Sequence, residues 1–208
     1  MPTLKLTYFD MHGGRGEAAR LALFIGGIAF EDRRIPFAEW GALKPETPYG
    51  AIPILEIDGE VIAQSNGINR FVGKLAGLYP TDPLQAALCD EAMGVVEDIA
   101  VPIVATFGIS DPAELKATRE ALVEGPLTFY LDRLAKRLAK RGGQYFADDR
   151  LTVADLKVLV WIKHLRSGNL DHVPADLVQR VAPLLVEHCD RVRAHPQVKA
   201  YYEKQAAA

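Results

Sequence analysis

The stretch that most constrains how this chain can fold is KLTYFDMHGGRGEAAR, Lys5 to Arg20, in which one structural period gives way to another. Lys5 to Phe9 alternates polar with apolar or aromatic residues, so Leu4, Leu6 and Tyr8 share one face of a strand. Gly13, Gly14 and Gly16 interrupt any regular element, and from Arg15 to Ile25 the residues Ala18, Leu21, Ala22 and Ile25 recur at helical spacing. A strand, a bend and a helix in this order place Tyr8 near a helix N-terminus, where unpaired N–H groups and the helix dipole favour an anion. Taken alone, the stretch also fits Tyr8 as an ordinary residue of an amphipathic strand.

After Gly26 and Gly27, a C-terminal stop for the first helix, Ile28 to Ile35 returns as a second strand, giving a βαβ unit with a right-handed crossover. Pro36 to Gly50 reads as a loop with a short helix. Ile52 to Ala63 is two apolar runs split by Asp58 and Gly59, and a DG pair in that setting predicts a hairpin. A third helix opens at Ser65, a good N-cap, with Ile68, Phe71, Val72 and Leu75 on one face. The order βαβ then ββα describes a compact α/β layer over residues 1–78.

At Tyr79 to Pro83, YPTDP, the pattern breaks, and residues 79–83 read as a linker. No convincing strand follows. Residues 84–208 form an all-helical second domain, with one long helix from about Leu84 to Phe107, another from about Pro112 to Arg141, and several shorter ones. Thr152 to Asp155, TVAD, has the form of a capping box, flanked by Leu151 and Leu156 as a hydrophobic staple, and reads as a stability element. No internal repeat or low-complexity tract is present beyond the tail Ala206 to Ala208.

Composition narrows the function classes. A net charge of −3 with no basic stripe argues against a nucleic-acid partner. The longest apolar runs, such as Ile99 to Ile109 with Pro102 inside, fall short of the ~18 residues that span a bilayer. The N-terminus, MPTLKL, has no signal-peptide core, which points to a cytoplasmic protein. Cys89 and Cys189 both sit in helical patterns and read as buried free thiols rather than a disulfide or a metal site.

Taken together, KLTYFDMHGGRGEAAR, PYGAIPILEIDG and QSNGINR, with Trp40, Lys44 and the TVAD box, resemble a cytosolic glutathione transferase, most closely the sigma class that includes haematopoietic prostaglandin D synthases. The resemblance covers essentially the whole chain. It implies a thioredoxin-like N-terminal domain followed by an all-helical one, glutathione as co-substrate with no metal requirement, small hydrophobic electrophiles as acceptors, and a homodimer. It also implies roles for residues. Tyr8 would donate a hydrogen bond to the glutathione sulfur, with Arg15 beside it adding positive potential. Pro53 corresponds to a cis-proline, and Ala51, Ile52 and Pro53 would run along the peptide backbone of the ligand. Gln64 and Ser65 would hold the γ-glutamyl end, Trp40 and Lys44 the glycine end, and Asp98, beside Glu97 in the long helix, would reach the ligand's amino group from a partner subunit. Phe9, Met11 and Gly13, with Val101 and Ala105 from the long helix, would wall the electrophile pocket.

The chain also departs from the pattern. The bend HGGRG is one residue longer than in close relatives, which bears on the placement of Arg15. Gly50 and Ala51 stand where many members have Lys or Gln, and IAVPIVATF lacks the tryptophan of vertebrate prostaglandin synthases. Three functions follow from the resemblance: glutathione conjugation with a peroxidase side activity, a glutathione-dependent isomerase of the prostaglandin D synthase kind, or a non-catalytic ligand-binding or structural use of the fold. Tyr49 stands where some classes insert an aromatic key into the partner, and equally reads as a packed loop residue.

Overall fold

The computed structural model describes residues 2–206; Met1 and the end of the alanine tail, Ala207 and Ala208, lie outside the described residues. Strand β1 (Leu4–Phe9) leads through the glycine bend into helix α1 (Gly14–Ile25), and β2 (Glu31–Ile35) returns parallel to β1. A short α2 (Trp40–Leu43) precedes the hairpin of β3 (Ile54–Ile57) and β4 (Glu60–Ala63), which turns at Asp58 and Gly59, both at positive φ. The sheet order is β2-β1-β3-β4, with β3 antiparallel to β1, and α3 (Ser65–Leu75) follows. The N-terminal unit is the thioredoxin-like layer that the sequence implies.

Alternation along β1 sends Leu4 and Leu6 into the main core, where Leu6 pairs in register with Leu55. Tyr8 continues along the strand to the N-terminal end of α1. Helix α1 stops at Gly26, and Gly27, at φ +61, donates to the carbonyl of Phe24 while Ile28 donates to that of Leu23.

The second half is helical throughout. Helix α4 (Pro83–Ala105) starts with Asp82 accepting from the Gln85 N–H at 2.9 Å, and α5 (Pro112–Leu122) starts with Asp111 accepting from the Glu114 N–H at 2.8 Å. The single helix expected over Pro112 to Arg141 is instead α5, one π-helical turn at Val123–Leu127, and α6 (Thr128–Lys140). Pro126 lies in that turn, and its missing N–H and bulky ring break the regular ladder there. Next come α7 (Val153–Leu165), α8 (Leu177–Val181), α9 (Pro183–Ala194) and α10 (Pro196–Ala206).

Helix α7 is apolar on nearly all sides because it is the hub: it packs against α1, α4 and α9. Its start is fixed by Asp155, whose carboxylate accepts from the Thr152 N–H at 2.8 Å and the Thr152 hydroxyl at 2.7 Å. Val153 N–H donates to the Leu78 carbonyl at 2.9 Å, which ties α7 to the segment joining the two halves. No helix among the described residues is long and apolar enough to cross a membrane.

Candidate functional site

Tyr8 lies against the first turn of α1. A Cβ added at Gly14 would stand 2.4 Å from Tyr8 Oη, and one added at Gly16 would stand 2.6 Å from Tyr8 Cγ, so the ring is accommodated only because both positions are glycine. The backbone N–H of Arg15, unpaired within its own helix, donates to Tyr8 Oη at 3.0 Å. The phenolic proton has no acceptor among the described residues and remains free to be donated. Burial pushes the Tyr8 phenol above its ordinary value, against the opposing pull of the Arg15 N–H and the Arg15 and Arg20 charges, so it stays protonated at neutral pH.

Arg20 holds this arrangement from behind. Its side chain is 1% exposed, its guanidinium carbon lies 5.7 Å from the Tyr8 ring centroid, and it donates to the Met11 carbonyl at 3.0 Å and pairs with Asp32 at 2.9 Å. The chain following Tyr8 is thereby anchored to α1 and β2.

Arg15 lines the same cavity as Tyr8. Arg15 Nε donates to Glu97 Oε2 at 3.0 Å, while Glu97 Oε1 accepts from Ser65 Oγ at 3.0 Å and from Lys157 Nζ at 2.6 Å. Lys157 also donates to Asn66 Oδ1. One carboxylate from α4 thus bridges the N-terminal ends of α1 and α3. Burial opposes ionisation of Glu97, but Lys157 and Arg15 outweigh it and hold the carboxyl below its usual range. Burial draws the Lys157 ammonium down, and Glu97 counters it.

Ser65 is not the N-cap of α3. Gln64 occupies that position at φ +70, and the Ser65 hydroxyl is committed to Glu97. The first N–H groups of α3 point out of the helix without intrahelical partners, as at any helix start. The Ile52–Pro53 bond is cis, Ile52 is buried beside Tyr8 and Ile35, and Trp40 packs at their margin with its ring 5.7 Å from that of Phe9. Ala51 and Lys44 are exposed and lie outside that cluster; Asp98 is exposed on α4. Tyr49 is an exposed loop residue.

A cavity of about 490 Å³ opens beside Tyr8, between the two halves of the chain. Phe9, Met11 and Gly13 line it, joined by Phe37, which stacks on Phe9 at 4.4 Å. Val101 and Ala105, expected in its wall, are not among the lining residues and are exposed; Val104 and Phe107 take their place. Val101 and Ala105 lie one turn apart on a face of α4 that stays exposed. Trp161 of α7 also lines the cavity.

Sequence reasoning missed Lys157 and Trp161. The available signal was a lone lysine in an otherwise apolar run, LKVLVW, within a helix buried on all sides. Cys89 and Cys189 are free and buried, with both thiols pushed up to about 12 by burial, which leaves them protonated and unreactive. Among the described residues no group of three or more His, Cys, Asp or Glu side chains is placed to hold a metal ion.

Residues 4–74 match the family model for the glutathione S-transferase N-terminal domain, and residues 97–205 match that for the C-terminal domain. The chain is 35% identical over 205 residues to glutathione S-transferase 1 of Ascaris suum, covering 97% of this chain and 96% of that one. It is 32% identical over 208 residues to the hematopoietic prostaglandin D synthase of Gallus gallus, covering 99% and 98%. Among solved structures, prostaglandin synthase D of Nilaparvata lugens superposes with a TM-score of 0.86 at 31% identity, covering 98% of both chains. A monomeric glutathione S-transferase from the hookworm Necator americanus superposes with a TM-score of 0.78 at 27% identity, covering 97% of both.

Proposed function

The chain belongs to the glutathione S-transferase family, and from that premise we propose that it joins the sulfur of glutathione to small hydrophobic electrophiles. The observation that carries the reading is Tyr8: a protonated phenol, fixed by the Arg15 N–H, with its own proton uncommitted and a cavity beside it.

The magnitudes suffice. A thiol of pKa near 8.5 is only a few per cent ionised at pH 7, and each unit of depression corresponds to about 1.4 kcal/mol. One hydrogen bond to a charged acceptor contributes ~1.5–3 kcal/mol, enough for one to two units. Tyr8 donates to the thiolate, and no general base is needed because the stabilised thiolate is itself the nucleophile. Its sulfur forms a bond to the electrophilic carbon while the leaving group departs with its electron pair, or, on an unsaturated carbonyl, the electrons pass to oxygen and a proton is taken up. With a hydroperoxide, sulfur attacks the terminal oxygen, the O–O bond breaks and an alcohol leaves after taking up a proton; a second glutathione then attacks the resulting sulfenic acid, forming the disulfide as the S–O bond breaks and water leaves.

The tripeptide lies extended along Ala51, Ile52 and Pro53, adding a strand-like segment to the edge of the layer. Its γ-glutamyl carboxylate meets Gln64 and the free N–H groups of α3 at Ser65, where the helix dipole favours an anion. Trp40 and Lys44 serve the glycine end. Asp98 of a second copy pairs with the amino group, and its exposed position on α4 suits a homodimer, though one matched structure is of a monomer. The glutathione site falls within residues 1–78, residues 79–83 link, and 84–208 supply the far wall of the cavity. Two free thiols fit a cytoplasmic setting.

The likeness to two prostaglandin synthases favours a second reading, an isomerase that uses glutathione as a cofactor. Titration with glutathione, then a conjugation assay with 1-chloro-2,4-dinitrobenzene, separates the readings. Binding with turnover supports the transferase; binding without it points to the isomerase or a carrier, and no binding to a structural use of the fold.

A further inference from the structure

The ionisable groups lining the cavity beside Tyr8 are strongly biased in sign. His12, Arg15, Lys163 and His164 all contribute, together with two tyrosines, and among the described residues no Asp or Glu lines it. The chain as a whole carries more acids than bases, 27 against 24, so composition alone does not account for an acid-free wall.

These cations are not equivalent. Arg15 is committed to Glu97. Burial, aided by the Arg119 charge, holds the His164 imidazole below its ordinary value and so neutral at pH 7. Lys163 is an exposed residue in the last turn of α7 and, in contrast to Lys157, forms no ion pair among the described residues. Here its ammonium lies 4.4 Å from the ring centroid of Tyr202, which itself lines the cavity. Trp161, on the same wall and 5% exposed, carries an indole N–H that is buried without an acceptor. A buried unpaired donor and an unneutralised ammonium, set among Phe9, Phe37, Val104 and Phe107, describe a pocket for a ligand that is apolar for most of its length and anionic at one end.

We propose that the acceptor cavity selects amphiphilic electrophiles bearing a carboxylate, and that Lys163, on the wall contributed by α7, is the residue that selects them. The proposal rests on the transferase reading only for the word acceptor; the anion preference itself is a property of binding.

The test uses two ligands that differ at one end, decanoate and decan-1-ol, titrated calorimetrically into the wild-type protein, K163Q and K163R. Wild type is expected to bind decanoate about three- to fivefold more tightly than the alcohol, the size of one partly solvated ion pair. The preference is expected to fall to near unity in K163Q and to return in K163R. Equal affinities in wild type, or a preference that survives in K163Q, overturn the proposal. Decanoate is further expected to compete with 1-chloro-2,4-dinitrobenzene in the conjugation assay, and non-competitive inhibition overturns it as well. Should the protein conjugate nothing, the transferase reading fails, while the calorimetric preference still decides the anion site.

Discussion

Lys157 Nζ lies 2.6 Å from Glu97 Oε1, an ion pair between a lysine 3% exposed and a carboxylate that also receives Ser65 and Arg15. The two partners are not equally dependent on each other. Glu97 keeps Arg15 and Ser65 if Lys157 is lost, whereas Lys157 keeps only the neutral Asn66 if Glu97 is lost. Glu97→Gln is therefore expected to cost about 3 kcal/mol, because it strands a buried ammonium, and Lys157→Met less, about 1–2 kcal/mol. Urea unfolding of both variants checks the order; equal losses, or a larger loss in Lys157→Met, would show that the ammonium is not the stranded partner.

The same carboxylate sets an acid limit on stability. Glu97 is held below its ordinary value of 4.5 in the folded protein, so its contribution is complete above that pH and is lost as pH falls through the depressed folded value. The stability gap between wild type and Glu97→Gln should be widest near pH 6 and narrow steadily below pH 4.5. A gap independent of pH between 6 and 3 would mean that the carboxylate is not preferentially ionised in the fold.

Tyr8→Phe should leave glutathione affinity within a few-fold and lower the conjugation rate ~10²-fold, about 2–3 kcal/mol of transition-state stabilisation. The rising limb of the pH–rate profile should also move up by about one to two units, towards the value of a free thiol near 8.5. Unchanged rates would shift the activation of sulfur to Arg15.

Much of this was legible in the sequence, and the misses share a cause. Period-two alternation at Lys5–Phe9, the DG turn and the helical spacing of α1 and α3 each identify an element because its pattern is local. Ser65 shows where local reading fails: it has the right chemistry for an N-cap, yet its hydroxyl is taken by Glu97, 32 residues away, and Gln64 stands at the N-cap position without a side-chain capping bond. Val104 and Phe107 were missed in favour of Val101 and Ala105 because Ile99–Phe107, the end of α4 and the turn after it, is apolar at nearly every position, so the face that meets the cavity cannot be read without knowing what packs on it. Lys157 was passed over because its partners, Asn66 and Glu97, are supplied by α3 and α4.

The glycines under Tyr8 give a prediction that needs no ligand to motivate it. A methyl at Gly16 would stand 2.6 to 2.9 Å from Tyr8 Cγ, Cδ1 and Cβ, so the ring must move. Gly16→Ala should cost about 1–3 kcal/mol by overpacking and reduce the conjugation rate with it. Gly94→Ala, in α4 with nothing near the added methyl, should instead stabilise by about 0.5–1 kcal/mol through helix propensity. A Gly16→Ala protein with wild-type rate and stability would show that the Tyr8 ring is not fixed against α1.

Asp155 separates stability from chemistry. It is fully buried in α7 and accepts from four donors: the Thr152 N–H and hydroxyl, the Phe146 N–H at 3.1 Å and His188 Nε2 at 2.9 Å. Asp155→Ala leaves all four without a partner in a dry interior, and the expected loss is about 3–5 kcal/mol. Asp155→Asn keeps one carbonyl oxygen as an acceptor and should lose less, and Thr152→Ala, which removes a single donor, less again. None of these groups lines the cavity beside Tyr8. Below its lowered melting temperature each variant should therefore keep the wild-type KM for glutathione and rate per folded molecule. A change in KM without a change in melting temperature would instead make Asp155 part of the site, transmitted along α7 to Lys157 two residues on.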